Sequence, residues 1–147
     1  MTTRIELDTD PARIDLDTVW TFLSTQAYWH RWRSRSDVER QISASWRVVG
    51  AYDRDTGRMI GFARALSDGV ALAYLADLFV VDDARGLGVG KSLVREMIDN
   101  GPGARFRWML HTADAHGLYA QFGFQKPDDT YLERPANPPA VLPVAPA

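Results

Sequence analysis

Residues 75–97, LADLFVVDDARGLGVGKSLVREM, join an apolar run to a periodic segment through a glycine-rich turn. The run Leu75–Val81 predicts a buried strand that breaks at Asp82 and Asp83. After the turn the apolar residues fall on one helical stripe, at Val89, Leu93, Val94 and Met97. Glycines let a backbone approach an anion, and the free N–H groups at a helix start attract one. The stretch therefore predicts a strand, a phosphate-binding turn and a helix.

Spacing separates the motifs that use such a turn. The nucleoside-triphosphate P-loop needs a glycine five residues before its Gly-Lys-Ser ending, and that position is Arg85. The dinucleotide fingerprint G-x-G-x-x-G would need a glycine at Lys91 or at Leu93. What remains is R-x-x-G-x-G over residues 85–90. The alternative is a glycine-rich turn that holds no ligand.

Composition limits the class of protein. The chain has 147 residues, is 46% apolar and has a net charge of −2 with mixed signs, which predicts one globular domain and no general nucleic-acid binding. Cysteine is absent, which excludes disulfides and thiolate chemistry and is consistent with a cytoplasmic location. No apolar run approaches a membrane span, and the polar N-terminus is not a signal peptide. We predict a domain over residues 1–134 and a proline-rich tail over 135–147.

The rest of the chain predicts alternating elements. Strands are expected at 4–8, 46–52, 58–66, 71–81, 105–111 and from Phe124. Helices are expected at 16–24, about 36–43, 88–100 and 114–122, with Asp15, Ser36 or Asp37, and Asp114 as N-caps of the first, second and fourth. Antiparallel hairpins come first and a strand–helix–strand crossover follows, which indicates a mixed sheet with flanking helices.

Two motifs resemble those of the GNAT superfamily of acyl-CoA-dependent N-acyltransferases and occur in the same order along the chain. The first, Arg85-x-x-Gly88-x-Gly90, is similar to the family's pyrophosphate loop, Gln/Arg-x-x-Gly-x-Gly/Ala. The second, residues 114–124, DAHGLYAQFGF, resembles the family's Ala-x-x-Leu-Tyr-x-x-x-Gly-Phe segment. The resemblance covers roughly residues 45–125. It implies an α/β (α+β) fold, a mixed, mostly antiparallel sheet of six to seven strands flanked by about four helices.

The resemblance also implies a reaction. An acetyl or other acyl group would pass from acetyl-CoA to a primary amine by direct attack within a ternary complex, without a metal. The acceptor would be a small-molecule or peptide amine, with no nucleic acid or membrane partner, and a homodimer is compatible with the family. The first alternative is a non-catalytic acyl-CoA-binding sensor or interaction module. The second is a nucleotide-phosphate binder, which ATP or GTP would stabilise.

The family's cofactor contacts map onto three segments. The pyrophosphate would meet the loop residues Arg85, Gly86, Leu87, Gly88, Val89, Gly90, Lys91 and Ser92, although Arg85 could instead hold the turn. The pantetheine arm would pair with the strand residues Leu78, Phe79 and Val80. Further contacts are implied at Thr112, His116, Tyr119 and Phe122. Family members often carry Asn where this chain has Thr112, and His116 is equally well explained as a solvent-exposed residue.

Asp77 is a carboxylate inside an otherwise apolar run, residues 70–81. Burial there predicts a raised pKa, which would suit a general base that deprotonates the incoming ammonium. The alternatives are that Asp77 anchors the substrate's cation, that it relays a proton through water, or that it forms an ion pair with an arginine such as Arg64.

The resemblance assigns Tyr119 as the general acid for the leaving thiolate. Leu118 and Phe122 are four residues apart and supply the apolar stripe of their helix, so we predict that Tyr119 faces away from the core. The alternative is an ordinary core aromatic. Acceptor-site residues are expected at Tyr28, Trp29 and Trp32, where an aromatic wall suits an apolar or cationic amine and packing between helix and sheet is the alternative.

Overall fold

The computed structural model describes residues 4–139 and contains a five-stranded sheet in the order β1-β2-β3-β4-β5. The strands are β1 Ile5–Asp8, β2 Arg47–Asp53, β3 Met59–Ser67, β4 Leu72–Val80 and β5 Arg107–Met109. β1 to β4 are antiparallel neighbours, and β5 lies parallel to β4. The mixed α/β architecture is confirmed.

Four helices flank the sheet, as predicted: α1 Leu16–Thr25, α2 Arg35–Ser43, α3 Val89–Val94 and α4 His116–Ala120. Short 3-10 turns lie at Pro11–Arg13 and Asp82–Ala84. α3 continues without a break as a π-helix over Arg95–Asp99, so the helix predicted at 88–100 changes its hydrogen-bond pattern near its middle. Within residues 4–139, none of the helices has the length and apolarity needed to cross a bilayer.

The predicted helix caps are right in one case of three. The Asp15 carboxylate accepts from the amides of Asp17 and Thr18 and caps α1. α2 is capped by Ser34 rather than Ser36 or Asp37, because Ser34 and Asp37 form a reciprocal capping box. α4 begins at His116 with Ala115 as its N-cap, one residue later than an Asp114 cap would place it.

Two strand predictions need correction. β5 has three residues instead of the seven expected at 105–111, since the chain leaves β4 after Met109. From Phe124 to residue 139 no strand forms, so a sheet of six to seven strands is wrong for the described chain. Pro127 lacks the N–H that a strand ladder needs, and charged residues follow it. The proposed tail, 135–147, is exposed and irregular over 135–139, and its remainder lies outside the described residues.

A β-bulge in β4 changes the face of the sheet on which the strand's side chains pack. The sheet has a hydrophobic core on each face, one under α3 and one under α1 and α2. Leu75 packs in the core under α3, whereas Phe79, four residues later, packs in the core under α1 and α2. An unbroken strand would put both residues on one face. The register shifts between the pairs Phe62–Phe79 and Arg64–Ala76, and Asp77 has a φ of +53° at that point. The bulge therefore turns Asp77 and Phe79 toward α1 and α2.

The pairing of β4 with β5 ends early. It covers Leu72–Tyr74 against Arg107–Met109, and no strand of the described chain pairs with that edge of β4 beyond Tyr74. Residues 75–80 therefore keep one free strand edge, next to the turn that leads into α3.

Candidate functional site

The turn before α3 has the backbone geometry of an anion site. Gly86 and Gly88 both have a φ of +81°, a left-handed conformation that other residues adopt at a cost. Among the described residues, the backbone N–H groups of 86–91 have no acceptor, and the next amide, that of Ser92, donates to the Gly88 carbonyl. Six consecutive amides and the positive end of the helix dipole are thus available to an anion.

A pocket of about 340 Å³ opens beside these amides. Its walls come from the end of α1, the loop that follows α1, the C-terminal half of β4, the glycine turn and the segment before α4. The predicted residues that line it are Tyr28, Trp29, Leu78, Phe79, Val80, Arg85, Gly86, Gly88, Val89 and Gly90. The free edge of β4 and the glycine turn therefore share one cleft.

Five residues that line the pocket were not predicted from the sequence: Phe22, Gln26, Ala84, Asp114 and Ala115. Ala84 immediately precedes the first motif, and Asp114 and Ala115 begin the second. Their closeness to the motifs could have indicated that they line the pocket. Phe22 lies on α1 and Gln26 is the C-cap one turn later, and only tertiary packing brings them to the pocket. The Phe22 ring stacks on Phe79 at a centroid distance of 4.2 Å.

The other predicted site residues lie outside the pocket lining: Asp77, Leu87, Lys91, Ser92, Thr112, His116, Tyr119, Phe122 and Trp32. The Thr112 hydroxyl accepts from the Ala115 amide at 3.1 Å, and His116 Nε2 contacts the Thr112 carbonyl at 3.0 Å. Both side chains therefore help to form the start of α4. Phe122 packs at the edge of the core under α3, with the Arg95 guanidinium 5.9 Å from its ring.

Tyr28 connects two walls of the pocket. Its hydroxyl accepts a hydrogen bond from the Ala113 amide at 2.9 Å, and its ring meets Trp29 edge-on at 4.9 Å. The loop after α1 is thereby fastened to the segment before α4.

Asp77 is buried, as predicted, but it is surrounded by donors. Arg33 binds it through two bonds, Nη1–Oδ2 at 2.8 Å and Nη2–Oδ1 at 3.0 Å. Arg64 Nε donates to Oδ2 at 2.8 Å, and Trp29 Nε1 donates to Oδ1 at 2.6 Å. Each carboxylate oxygen thus accepts two hydrogen bonds, which fills its ordinary capacity.

The expected raised pKa of Asp77 is wrong. Burial does raise it, but the hydrogen bonds and charges of Arg33 and Arg64 outweigh burial, and the pKa falls to about 2. Such a carboxylate is a weak base, and its filled oxygens leave no place for a substrate ammonium. The structure argues against the general-base and cation-anchor roles. The ion pair with Arg64, one of the alternatives, is confirmed, and Arg33 is the partner that the sequence did not reveal.

Tyr119 faces the core, contrary to expectation. It is the buried residue of α4, 8% exposed, whereas Leu118 and Phe122 are only partly buried. Ala115, Leu118 and Phe122 pack against the same core as partly buried residues. Burial, with smaller effects of Tyr28 and Asp114, raises the pKa of Tyr119 to about 12. Tyr28 and Asp114 both line the pocket, and Tyr119 itself lies outside its lining.

Another cavity, of about 570 Å³, lies between the Pro11–Arg13 turn, α2 and the start of β2. It is remote from both motifs. Within residues 4–139, no three His, Cys, Asp or Glu side chains are grouped to hold a metal ion.

Comparison with known proteins agrees with this geometry. The acetyltransferase (GNAT) domain model matches residues 44–126. The crystal structure of a "putative acetyltransferase belonging to the gnat family" from Xanthomonas campestris pv. campestris is similar with a TM-score of 0.85 and 32% identity, covering 92% of this chain and 96% of that one. "Putative acetyltransferase FG08082" of Gibberella zeae is 25% identical over 134 residues, 78% of this chain and 75% of that protein.

A more distant neighbour shares the fold. N-acetylglutamate synthase from Neisseria gonorrhoeae, complexed with coenzyme A and N-acetyl-glutamate, has a TM-score of 0.67 and 21% identity, covering 90% of this chain and 31% of that one. The family model includes both motifs and more than half of the sequence. The chain therefore belongs to the GNAT acetyltransferase family.

Proposed function

We propose that this protein is an N-acetyltransferase that uses acetyl-CoA to acetylate a primary amine. One observation carries the proposal: the glycine turn, whose backbone amides at 86–91 have no acceptor among the described residues, borders the same pocket as the unpaired edge of β4. A diphosphate and an extended amide chain need those two surfaces side by side. Coenzyme A has both, and the Neisseria synthase of the same fold was solved with it.

The residues present fit this donor. The turn amides would bind the pyrophosphate, with the cations Arg85 and Lys91 nearby. The backbone of Leu78–Val80 would hydrogen-bond the pantetheine amides as an added strand. Arg85 also lies 3.5 Å from Asp82, in a contact that is largely exposed and easily exchanged for phosphate.

The donor would supply an acyl carbon activated as a thioester. The nitrogen of the free amine would bond to that carbon and give up one proton while the carbon–sulfur bond breaks, and the sulfur would take up one proton and leave as the thiol. Tyr119 would supply or share the sulfur's proton. Because its pKa is about 12, the phenol stays protonated throughout the neutral range. Asp77 would act by position, since the ion pairs fix the bulge that carries Leu78 to the pocket.

Thermal unfolding and thiol release together test the proposal. We expect coenzyme A to raise the melting temperature and ATP or GTP to leave it unchanged. We expect thiol release from acetyl-CoA to require an added amine. Stabilisation by coenzyme A without amine-dependent thiol release would favour the binding module, and stabilisation by ATP alone would favour the nucleotide binder.

A further inference from the structure

The bulge in β4 is surrounded by more buried positive charge than negative charge. Arg33 and Arg64 are each 5% exposed, and the carboxylate between them, Asp77, is 7% exposed. Two guanidiniums and one carboxylate leave an excess charge of +1 in a poorly hydrated place. An unbalanced buried charge is costly, so such a cluster favours a further anion.

The free hydrogen-bonding capacity belongs to Arg64. Arg33 uses all three of its nitrogens, donating to the His30 carbonyl, to Gln41 and to Asp77. Arg64 uses Nε alone, and within residues 4–139 its Nη1 and Nη2 have no acceptor. Those two nitrogens present a planar pair of donors, the geometry that binds a carboxylate through two hydrogen bonds.

The Arg64 donors lie at the end of a side chain that is only 6% exposed. In the described part of the chain, Arg47 Nε is the one side-chain nitrogen or oxygen that is both sealed from solvent and without a partner. The Arg64 nitrogens have no partner and do not share that condition, so they keep a slight contact with solvent. That contact is the route by which an anion would reach them.

The acidic groups around Arg64 are already engaged. Asp77 has both oxygens filled. Glu133 pairs with His111 Nε2 at 2.5 Å, and His111 Nδ1 bonds the Tyr74 hydroxyl at 2.5 Å. The described protein thus places no free carboxylate at this guanidinium.

The charge of Arg64 acts on two neighbouring titratable groups. Burial lowers the pKa of His30, and the charges of Arg33 and Arg64 lower it further while Asp77 opposes them. Burial raises the pKa of Tyr74, as do the charges of Glu133 and Asp77, and the charge of Arg64 opposes that shift. Arg64 therefore adds positive charge to the surroundings of both residues.

Arg64 is also well placed relative to the donor pocket. It pairs with Ala76 across β3 and β4, next to the bulge residue Asp77. Leu78, the following residue, lines the donor pocket. Trp29 also lines that pocket and donates to the same Asp77 carboxylate that Arg64 binds, so the arginine cluster lies directly behind this wall of the pocket.

We propose that the acceptor is an amine that carries a carboxylate, as an amino acid does, and that the Nη1 and Nη2 groups of Arg64 bind that carboxylate. The inference rests on the proposed acetyltransferase function and adds the class of acceptor. It also replaces the expectation of a purely apolar or cationic acceptor, because the excess charge at Arg64 repels a cation that has no anionic group.

A matched acceptor series tests this proposal. Each amino acid is compared with its carboxamide and with the amine that lacks the carboxyl group, and acetylation is measured at saturating acetyl-CoA. We expect kcat/KM for the amino acid to exceed that of both analogues by about 10- to 100-fold, the range for losing a charged hydrogen bond. Equal values, or a preference for the uncharged analogues, would overturn the assignment.

The variant Arg64→Lys links the preference to this residue. Lysine keeps the charge and a contact to Asp77 but removes the planar pair of donors, so kcat/KM should fall more for the amino acid than for its carboxamide. Arg58→Lys, which alters an exposed bidentate pair with Asp83, is the control and should leave the preference unchanged. Equal losses for both acceptors would contradict the role of Arg64.

The two proposals fail differently. Acetylation of no acceptor at all would refute the acetyltransferase function. Acetylation without a carboxylate preference would refute only the acceptor class. Should Arg64→Lys not fold, the comparison of acceptors on the unmodified protein still decides the question.

Discussion

Arg33 and Asp77 form a bidentate ion pair in which both side chains are only 2% exposed, with N–O distances of 2.8 and 3.0 Å. The pair connects the loop before α2 to the bulge in β4, 44 residues apart. It fixes Asp77 in the left-handed conformation that redirects the strand. The carboxylate that sequence alone suggests as a base is therefore an anchor for the shape of the site.

The first prediction concerns stability. Asp77→Asn removes the counter-charge of two buried guanidiniums and should lower the free energy of unfolding by about 3 to 5 kcal/mol. Denaturant unfolding at pH 7 measures it. Asp83→Asn is the matched control, because Asp83 also receives two bonds from one arginine, Arg58, but is 67% exposed. Similar effects of the two substitutions would contradict the account.

The second prediction concerns pH. The pKa of Asp77 is depressed from 3.8 to about 2, so its contribution to stability is complete above pH 4 and is lost as the pH falls through 2. The difference corresponds to about 2 kcal/mol. The free energy of unfolding is measured for the natural protein and for Asp77→Asn between pH 6 and pH 2. We expect the difference between the two proteins to become smaller as the pH falls over that range. A gap that narrows near neutral pH would show that Asp77 titrates there, as a general base would.

The order of elements and the donor pocket were predictable because they depend on local signals. The glycine spacing of residues 85–90 and the strand before it predicted the turn, and most of those residues do line the pocket. Gly86 and Gly88, two of the glycines with a left-handed backbone, belong to that turn.

What could not be predicted depends on contacts distant in the sequence. Arg33 reaches Asp77 across 44 residues, and no local pattern pairs them. The bulge at Asp77 reverses the face of β4 on which the following side chains lie, and no sequence pattern in the strand indicates it. The spacing of Leu118 and Phe122 suggests a core stripe that excludes Tyr119, but tertiary packing buries Tyr119 and leaves those two residues only partly buried.

The third prediction concerns Tyr119. Tyr119→Phe should lower turnover about 100-fold, the usual effect of losing a general acid, and should change acetyl-CoA affinity little. Tyr52→Phe is the control: Tyr52 is also buried with a pKa raised to about 12, and its hydroxyl donates to the Arg13 carbonyl, away from the pocket. Steady-state kinetics and a binding titration measure both effects. Unchanged turnover in Tyr119→Phe would remove the phenol from the mechanism.

The fourth prediction concerns the glycine turn. Gly88→Ala places a side chain at a φ of +81°, which costs about 1 to 2 kcal/mol, and we expect the affinity for coenzyme A to fall roughly tenfold. Gly57→Ala, at a φ of +75° in the β2–β3 hairpin, carries a similar backbone cost outside the pocket lining. Gly57→Ala should lower the free energy of unfolding without lowering the affinity for coenzyme A. Equal affinities of the two variants would argue against the turn as the pyrophosphate site.

The fifth prediction concerns the connection made by Tyr28. Tyr28→Phe removes the acceptor of the Ala113 amide, so hydrogen exchange at that amide should become faster. NMR or mass spectrometry measures the rate. Tyr131→Phe alters another exposed tyrosine, in the C-terminal segment, and should leave exchange at Ala113 unchanged. An unaltered rate in Tyr28→Phe would show that this hydrogen bond does not hold the two walls together.

The most direct test of the central claim is to detect the product. The protein is incubated with acetyl-CoA labelled with a heavy isotope in the acetyl group and with a panel of amines, and each amine is analysed by mass spectrometry. The account predicts that the labelled acetyl group appears on the nitrogen of at least one amine, in amounts equal to the free coenzyme A released. Tight binding of acetyl-CoA with no labelled amine in the panel would contradict it.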